Sequence, residues 1–154
     1  MRQRAALVVV AVALFAMAAY AQPALAAVIV CGGGDCIGTS SPDDITGTDG
    51  YDRIEGRAGG DTISALNSSD KVFGQLGADW MHGDGGHDRM RGGGSDDTIW
   101  GDAQHDRVWG GPNDDTLNMQ DDNSDPVVNG GNGYDVCNVD AIDTWSNCEV
   151  VNVA

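Results

Sequence analysis

Positive charge is scarce in this sequence. Its 154 residues contain 8 Lys and Arg against 24 Asp and Glu, a formal net charge of −16. A chain with this charge repels the phosphate backbone, so nucleic acid is excluded as a partner. Aromatic residues are also few, at 6%, and acidic chains with few aromatics are often disordered. The acids recur at regular intervals, however, which argues against disorder.

Catalytic motifs are missing as well. The sequence has no His-Glu-x-x-His and no Gly-x-Ser-x-Gly, the signatures of metalloproteases and of α/β-hydrolases. His82, His87 and His105 are interpreted as separate, solvated side chains and not as a zinc site. Pairs of aspartates could imitate a glycosidase dyad, but a long regular series of them favours ions. The sequence therefore predicts a protein that is not an enzyme.

Long hydrophobic runs are confined to the N-terminus. Arg2 and Arg4 precede an apolar run over residues 5–21, and Ala24-Leu25-Ala26 follows it. This pattern predicts a signal peptide over residues 1–26, cleaved near Ala26. A membrane anchor is the alternative, but no flanking charge stops transfer. We expect a secreted, extracellular chain with no membrane span after cleavage and a net charge of about −18.

Cysteines are few, and they lie on both sides of a regular region. Two disulfides are expected in an exported chain, and three connectivities are possible. Their placement favours local pairing of Cys31 with Cys36 and of Cys137 with Cys148. These pairs would close an N-terminal cap at 27–37 and a C-terminal cap at 138–154.

The regular region is a repeat of nine residues. From Gly38 to Asn118 the chain divides into nine blocks without an insertion. Position four of the block is mostly glycine or a small polar residue. Position eight is always apolar, from Ile45 to Leu117. Position six is always aspartate: Asp43, Asp52, Asp61, Asp70, Asp79, Asp88, Asp97, Asp106 and Asp115. Residues 119–137 are predicted to be degenerate repeats, with Asp125 and Val127 in the positions of the aspartate and the apolar residue.

A period of nine with several glycines does not fit a helix. It fits a strand at positions seven to nine and a six-residue turn, with position eight pointing inward. Two blocks then make one coil of 18 residues with a strand on each side, and neighbouring strands are parallel and about 4.8 Å apart. Glycines supply the positive φ angles of the turns. The predicted fold is all-β, a parallel β-roll or β-solenoid with disulfides at its ends.

This coil stacks the aspartates in two files, one along each row of turns. One file runs from Asp43 to Asp115, and the other runs from Asp52 to Asp106 and towards Asp125. Carboxylates about 5 Å apart cannot all stay ionised and unpaired. A divalent cation between successive turns, held by carboxylate and turn carbonyl oxygens, resolves the repulsion, and an all-oxygen shell favours Ca²⁺ over Mg²⁺.

Blocks such as 56–64 and 83–91 resemble the repeats-in-toxin nonapeptide, Gly-Gly-x-Gly-x-Asp-x-apolar-x. The resemblance implies a β-roll that binds several Ca²⁺ ions through the position-six aspartates and the carbonyls near Gly50, Gly59, Gly77 and Gly86. Ala65, Gln104 and Asn113 depart from the glycine pattern. The layout of the whole chain is similar to that of small exported calcium-binding proteins of bacteria.

One buried apolar side chain per nine residues is a thin core. Ordering the backbone costs more than such a core returns, so we expect folding to require calcium. The protein is predicted to be structural or surface-associated; the alternative is a calcium-dependent module that binds a glycan or the cell envelope.

The outward positions offer two surfaces for that alternative. Arg53, Lys71, Arg89 and Arg107 share a column, with Trp109 beside them. This face is either a docking strip for an anionic polymer or a set of charges that prevents self-association. Trp80 and Trp100 lie on the opposite sheet, where they either stack against a sugar or stabilise the sheet by cross-strand packing.

Overall fold

The computed structural model describes residues 26–154. The predicted signal peptide, residues 1–26, lies almost wholly outside the described residues. Fifteen strands make two sheets, and every pair of neighbouring strands is parallel. Within residues 26–154, no helix has the length and apolarity that a membrane crossing needs.

Each coil contributes one strand to each sheet. The first sheet, here the odd sheet, has eight strands: β1 (Ala27–Val30), β3 (Asp43–Thr46), β5 (Thr62–Ser64), β7 (Trp80–His82), β9 (Thr98–Trp100), β11 (Thr116–Met119), β13 (Val136–Val139) and β15 (Val150–Val153). The second, the even sheet, has seven: β2 (Gly34–Ile37), β4 (Asp52–Ala58), β6 (Lys71–Leu76), β8 (Arg89–Gly94), β10 (Arg107–Pro112), β12 (Val127–Asn132) and β14 (Trp145–Ser146). The parallel β-solenoid is confirmed.

The register confirms the coil of 18 residues. Asp44 pairs with Thr62, and Arg53 pairs with Lys71. Strands β4, β6, β8, β10 and β12 of the even sheet extend beyond positions seven to nine, because the strand continues into the following turn, where Gln75 pairs with Gly93. The two rows of turns therefore differ. In the turns that follow even-sheet strands, the β-pairing continues, whereas in the turns that follow odd-sheet strands only isolated bridges form, from Gly85 to Asn67 and to Ala103.

The core lies between the sheets and consists of two columns of inward side chains, one on each sheet. Each position-eight residue has an exposed fraction of 0%: Ile45, Ile54, Ile63, Val72, Met81, Met90, Ile99, Val108 and Leu117. The columns continue through Val128 on the even sheet and Cys137 on the odd sheet. Position eight alternates with outward residues, as a strand with one buried face requires, and this prediction is confirmed.

The prediction for Val127 was wrong. Val128 has an exposed fraction of 0% and pairs with Val108, whereas Val127 is half-buried and pairs with Arg107. Pro126 explains the shift. In the regular coils the position-seven N–H donates to the position-six carbonyl of the preceding coil, as Arg107 does to Asp88 at 2.9 Å. Proline has no N–H to donate, so the chain accommodates it as an extra residue.

Disulfides join Cys31 to Cys36 and Cys137 to Cys148, with Cα–Cα distances of 5.5 and 5.9 Å. Local pairing at the two ends is thereby confirmed. The cysteines also belong to the core, since Cys36 and Cys137 have exposed fractions of 2% and 0%. Each bridge thus closes one end of the roll.

Positive φ angles occur in the turns, as expected, but not only at glycine. Gly77 has a φ of 122°, and a Cβ there would collide with the carbonyl oxygen of Gly59. Gln104 and Asn113 adopt φ angles of 85° and 84° at the same position of the block. The expectation was wrong for Gly50, whose φ is not in the left-handed range.

Candidate metal centre

The structure stacks the aspartates in the two predicted files. All nine position-six carboxyl groups are buried. From Asp61 onward, Oδ1 accepts a hydrogen bond from the backbone N–H of the aspartate one coil earlier, as Asp79 does from Asp61 at 2.8 Å; Asp43 and Asp52 accept from the N–H groups of Ala27 and Gly34. The bonds between aspartates measure 2.7–2.9 Å along both files. One carboxyl oxygen of each aspartate is therefore a structural part of the roll.

Both files continue past the nine predicted aspartates. Asp106 donates its N–H to Asp125, and Asp115 donates to Asp135, at 2.7 and 2.8 Å. Asp143 and Glu149 follow as the last acceptors, each at 2.8 Å. The sequence carried a signal for Asp143, which stands one coil of 18 residues after Asp125. That signal was missed because the neighbouring positions no longer fit the repeat.

The second carboxyl oxygen, Oδ2, has a hydrogen-bond donor in the first two turns but none in most later turns. In the first two turns Oδ2 of Asp43 and Asp52 accepts the N–H of Thr39 and Thr48, both at 2.6 Å. In the later turns the Oδ2 atoms are buried and have no hydrogen-bond donor: those of Asp61, Asp70, Asp79, Asp88, Asp97, Asp106, Asp115 and Asp135. Buried polar atoms are nearly always paired, so a row of eight exceptions calls for a positive partner.

A carbonyl oxygen lies beside each of several unpaired Oδ2 atoms. Position one of these turns is glycine, and both the Oδ2 atom and the carbonyl oxygen lie close to the point that a Cβ atom would occupy there. At Gly74, Oδ2 of Asp79 and the carbonyl oxygen of Gly92 are both less than 3.0 Å from that place. The same convergence occurs at Gly56, Gly83 and Gly110. Two acceptors that face each other repel unless a proton or a cation lies near them.

Burial also makes these carboxyl groups hard to ionise. Removal from water raises the pKa, the hydrogen bond from the preceding aspartate lowers it less, and neighbouring carboxylates raise it further. The pKa of Asp61, Asp135 and Asp143 is raised in this way. The pKa rises from 3.8 to about 6 for Asp70, about 8 for Asp106, and about 7 for Asp79, Asp88, Asp97, Asp115 and Asp125.

The donor set fits a hard cation. Carboxylate and carbonyl oxygens are the ligands that calcium prefers, and Ca²⁺ tolerates irregular shells better than Mg²⁺ does. Residues 26–154 contain no group of three or more His, Cys, Asp or Glu side chains that could hold a metal ion. A bound ion would therefore depend on backbone carbonyls as well as on aspartate, as the sequence predicts.

Two sets of turn carbonyls are candidate ligands, one at position one of the block and one at position four. The carbonyls near unpaired Oδ2 atoms belong to position one of the turns, which sequence reasoning did not single out. At position four, the carbonyl of Gly59 stacks on Gly77, and that of Ser68 stacks on Gly86. A ligand role for Gly50, Gly59, Gly77 and Gly86 stays a prediction.

The interpretation of the three histidines as separate side chains was wrong. His87 and His105 share position five of successive coils, and their rings stack with centroids 5.3 Å apart. His82 stacks on Trp100 at 4.5 Å, and its Nδ1 lies 2.8 Å from Asp102 Oδ2. The coil of 18 residues brings each pair together.

These features define a class of protein: a parallel β-solenoid whose turns stack buried carboxyl groups with unpaired oxygens. The RTX calcium-binding nonapeptide repeat (4 copies) matches the chain over residues 37–70, 56–90 and 82–117. Together these segments cover more than half of the sequence, so the chain belongs to the RTX calcium-binding repeat family. Neither a curated protein nor a solved structure matches it.

Proposed function

We propose that this chain is a secreted, non-catalytic protein that binds several Ca²⁺ ions along its two aspartate files and needs them to fold at a pH where these aspartates are ionised. The observation that supports the proposal is the row of eight buried Oδ2 atoms without a donor. Bound Ca²⁺ would supply the positive charge that lets these carboxyl groups ionise inside the roll. The position-six aspartates and the position-one carbonyls would hold it.

The thin core supports the requirement for calcium. Most strands contribute a single buried apolar side chain to the core, and the buried aspartates beside them are costly to hold as anions. Stacked coils share ligands and contacts, so binding and folding should be cooperative. Extracellular calcium modules bind at about 10⁻⁴–10⁻³ M, and we expect an affinity in that range.

Export is supported by the family and by the disulfides. RTX repeat proteins are typically exported, and two disulfides suit an oxidising compartment. The apolar run before Ala26 would be the signal peptide. Mass spectrometry of the exported chain should then give a mature N-terminus near Ala27; an exported protein that retains residues 1–26 would contradict this part of the proposal.

The test of calcium-dependent folding is a titration of the mature protein with intact disulfides at pH 8. Far-ultraviolet circular dichroism should change cooperatively from coil to β-structure with Ca²⁺, and Mg²⁺ at the same concentrations should leave the coil spectrum. The Asp44→Asn variant removes an exposed charge from β3 and should behave like the wild type. A calcium-free protein that is already folded at pH 8 and does not respond to calcium would refute the proposal.

A second candidate function is calcium-dependent glycan binding through the odd sheet. Trp80 has an exposed fraction of 58%, and its ring centroid lies 5.5 Å from that of Trp100. Exposed aromatic pairs of this kind can stack on sugar rings, and they also stabilise sheets. If the function is glycan binding, Trp80→Ala should lose retention on a neutral glycan column while the calcium midpoint stays unchanged. An equal loss of folding would favour the packing role.

A further inference from the structure

The cations of this acidic protein are gathered on one surface. Residues 26–154 contain six Lys and Arg, and all six lie on strands of the even sheet; Arg57 is the one outside positions seven to nine, near the end of β4 where the turn begins. The other five form what we call the cationic strip: Arg53, Lys71, Arg89, Arg91 and Arg107. Although the protein has a net charge of −16 and many acids that could pair with these cations, the cations lie together on one sheet.

The strip has a regular spacing. Arg53, Lys71 and Arg89 are register partners on adjacent strands, and Arg107 is the next partner in the same column. Adjacent strands are about 4.8 Å apart, so these four cations recur at about 5 Å over about 14 Å. Arg91 lies in the neighbouring column, between Phe73 and Trp109.

Most of these cations have no carboxylate partner. In the part of the chain that the structure describes, the ion pairs are Arg53–Glu55 and His82–Asp102. Three cations, among them the paired Arg53, lie over aromatic rings: Arg53 over Phe73 at 5.3 Å, Lys71 over Tyr51 at 5.8 Å and Arg91 over Trp109 at 5.1 Å. The rings restrict the side chains without neutralising them, so less rotamer entropy is lost when an anion binds.

A cavity extends the strip at one end. It has a volume of about 300 Å³ and is lined by His87, Asp88, Arg89, His105, Arg107 and Pro126, so that one buried acid accompanies the two arginines. Arg89 and Arg107 are exposed there, and their guanidinium groups present a planar set of donors suited to carboxylate or sulfate oxygens. The two stacked imidazole rings add further polar nitrogen atoms to the wall.

We propose that the cationic strip binds a linear acidic polysaccharide that carries carboxylate or sulfate groups at intervals of about 5 Å. This inference rests on the proposed function, because the sheet that bears the strip must be folded. The interval matches the spacing of the strands. Duplex nucleic acid carries one charge per about 1.7 Å, a density that the acidic turns on both sides of the strip would repel.

The experiment measures binding to three oligomers of one backbone: dextran, carboxymethyl-dextran and dextran sulfate, each six sugars long. Titrations use the calcium-saturated mature protein. The uncharged oligomer should not bind, and at least one charged oligomer should bind more weakly as salt is added. The two charged oligomers distinguish carboxylate from sulfate recognition. Oligothymidylate of equal charge is the competing polymer.

Variants locate the site. The double variant Lys71→Gln, Arg89→Gln should weaken binding by about 10-fold or more, and the Arg57→Gln variant, which removes the one cation outside the strip, should change it by less than about 2-fold. Equal weakening by both variants, binding to neither charged oligomer, or tighter binding of oligothymidylate would overturn the proposal.

Circular dichroism separates this proposal from the proposed function. If calcium does not control folding, the calcium titration fails while oligomer binding to the folded protein can still be measured. If the strip is not a binding site, the double variant folds with calcium as the wild type does and binds the charged oligomers equally well.

Discussion

Replacing Asp79 with asparagine should have opposite effects on the calcium-free and calcium-bound protein. Oδ1 of Asp79 accepts the N–H of Asp61, whereas Oδ2 has no donor and lies, with the carbonyl oxygen of Gly92, beside Gly74. Asparagine can keep the Oδ1 bond and place its amide N–H₂ where Oδ2 stood, where it can donate to that carbonyl. The Asp79→Asn variant should therefore stabilise the calcium-free roll and weaken calcium binding.

The magnitude follows from the pKa of this carboxyl, which burial raises from 3.8 to about 7. A group with a raised pKa in the folded state stabilises that state fully below pH 3.8, and the contribution is lost as the pH rises through 7. Ionised Asp79 at pH 8 then costs about 4 kcal/mol relative to the unfolded chain. Asparagine does not ionise, so we expect a gain of about 2–4 kcal/mol at pH 8 and little at pH 4.

The assay follows the β-signal of calcium-free protein from pH 4 to pH 8 by circular dichroism. In the wild type the signal should be lost between about pH 6 and 8, where the raised pKa values lie. Asp79→Asn should move this midpoint to higher pH, and equilibrium dialysis at pH 8 should find fewer calcium ions per chain. Asp44→Asn, which alters an exposed residue, should change neither. If Asp79→Asn loses its β-signal at lower pH than the wild type, Oδ2 does not face an acceptor and the reasoning fails.

Two further substitutions test other parts of the structure. Gly74→Ala places a Cβ between Oδ2 of Asp79 and the carbonyl of Gly92, so it should raise the calcium midpoint of folding strongly; Gly50→Ala, where the nearest atom is 3.8 Å away, should leave the midpoint nearly unchanged, and equal effects would contradict the packed interior of the turn. Replacing both Cys137 and Cys148 with serine opens a loop with a sequence separation of 11 and should lower the free energy of unfolding by about 3 kcal/mol; urea unfolding of the calcium-bound protein measures it, and an unchanged midpoint would mean that the bridge does not restrain the unfolded chain.

The period of nine was enough to predict which residues share a column. Aspartates at position six stack because the coil is 18 residues long, and Ile54 and Val72 lie inward because position eight alternates with outward neighbours. Local pairing of the cysteines followed from their position at the two ends of the repeat. These properties depend on spacing alone, which a sequence states directly.

Atomic details within a column could not be predicted from spacing. Whether Oδ1 or Oδ2 of Asp79 meets a donor depends on the side-chain rotamer and on the backbone one coil away. Val128 replaced Val127 in the core because Pro126 lacks an N–H, a local effect that the frame does not show. The stacking of His87 on His105 does follow from spacing, because the two residues are 18 apart and share position five of successive coils.

The hydrogen bonds of the aspartate files all point the same way, so the roll is polar along its axis. Each coil offers acceptors to the coil before it, and Asp143 and Glu149 supply the final acceptors for Asp125 and Asp135. Loss of N-terminal strands would free carboxyl oxygens that water can solvate. Loss of the C-terminal segment would free backbone N–H groups instead. A roll shortened from its beginning therefore presents acceptors at its new end, whereas one shortened from its end presents donors.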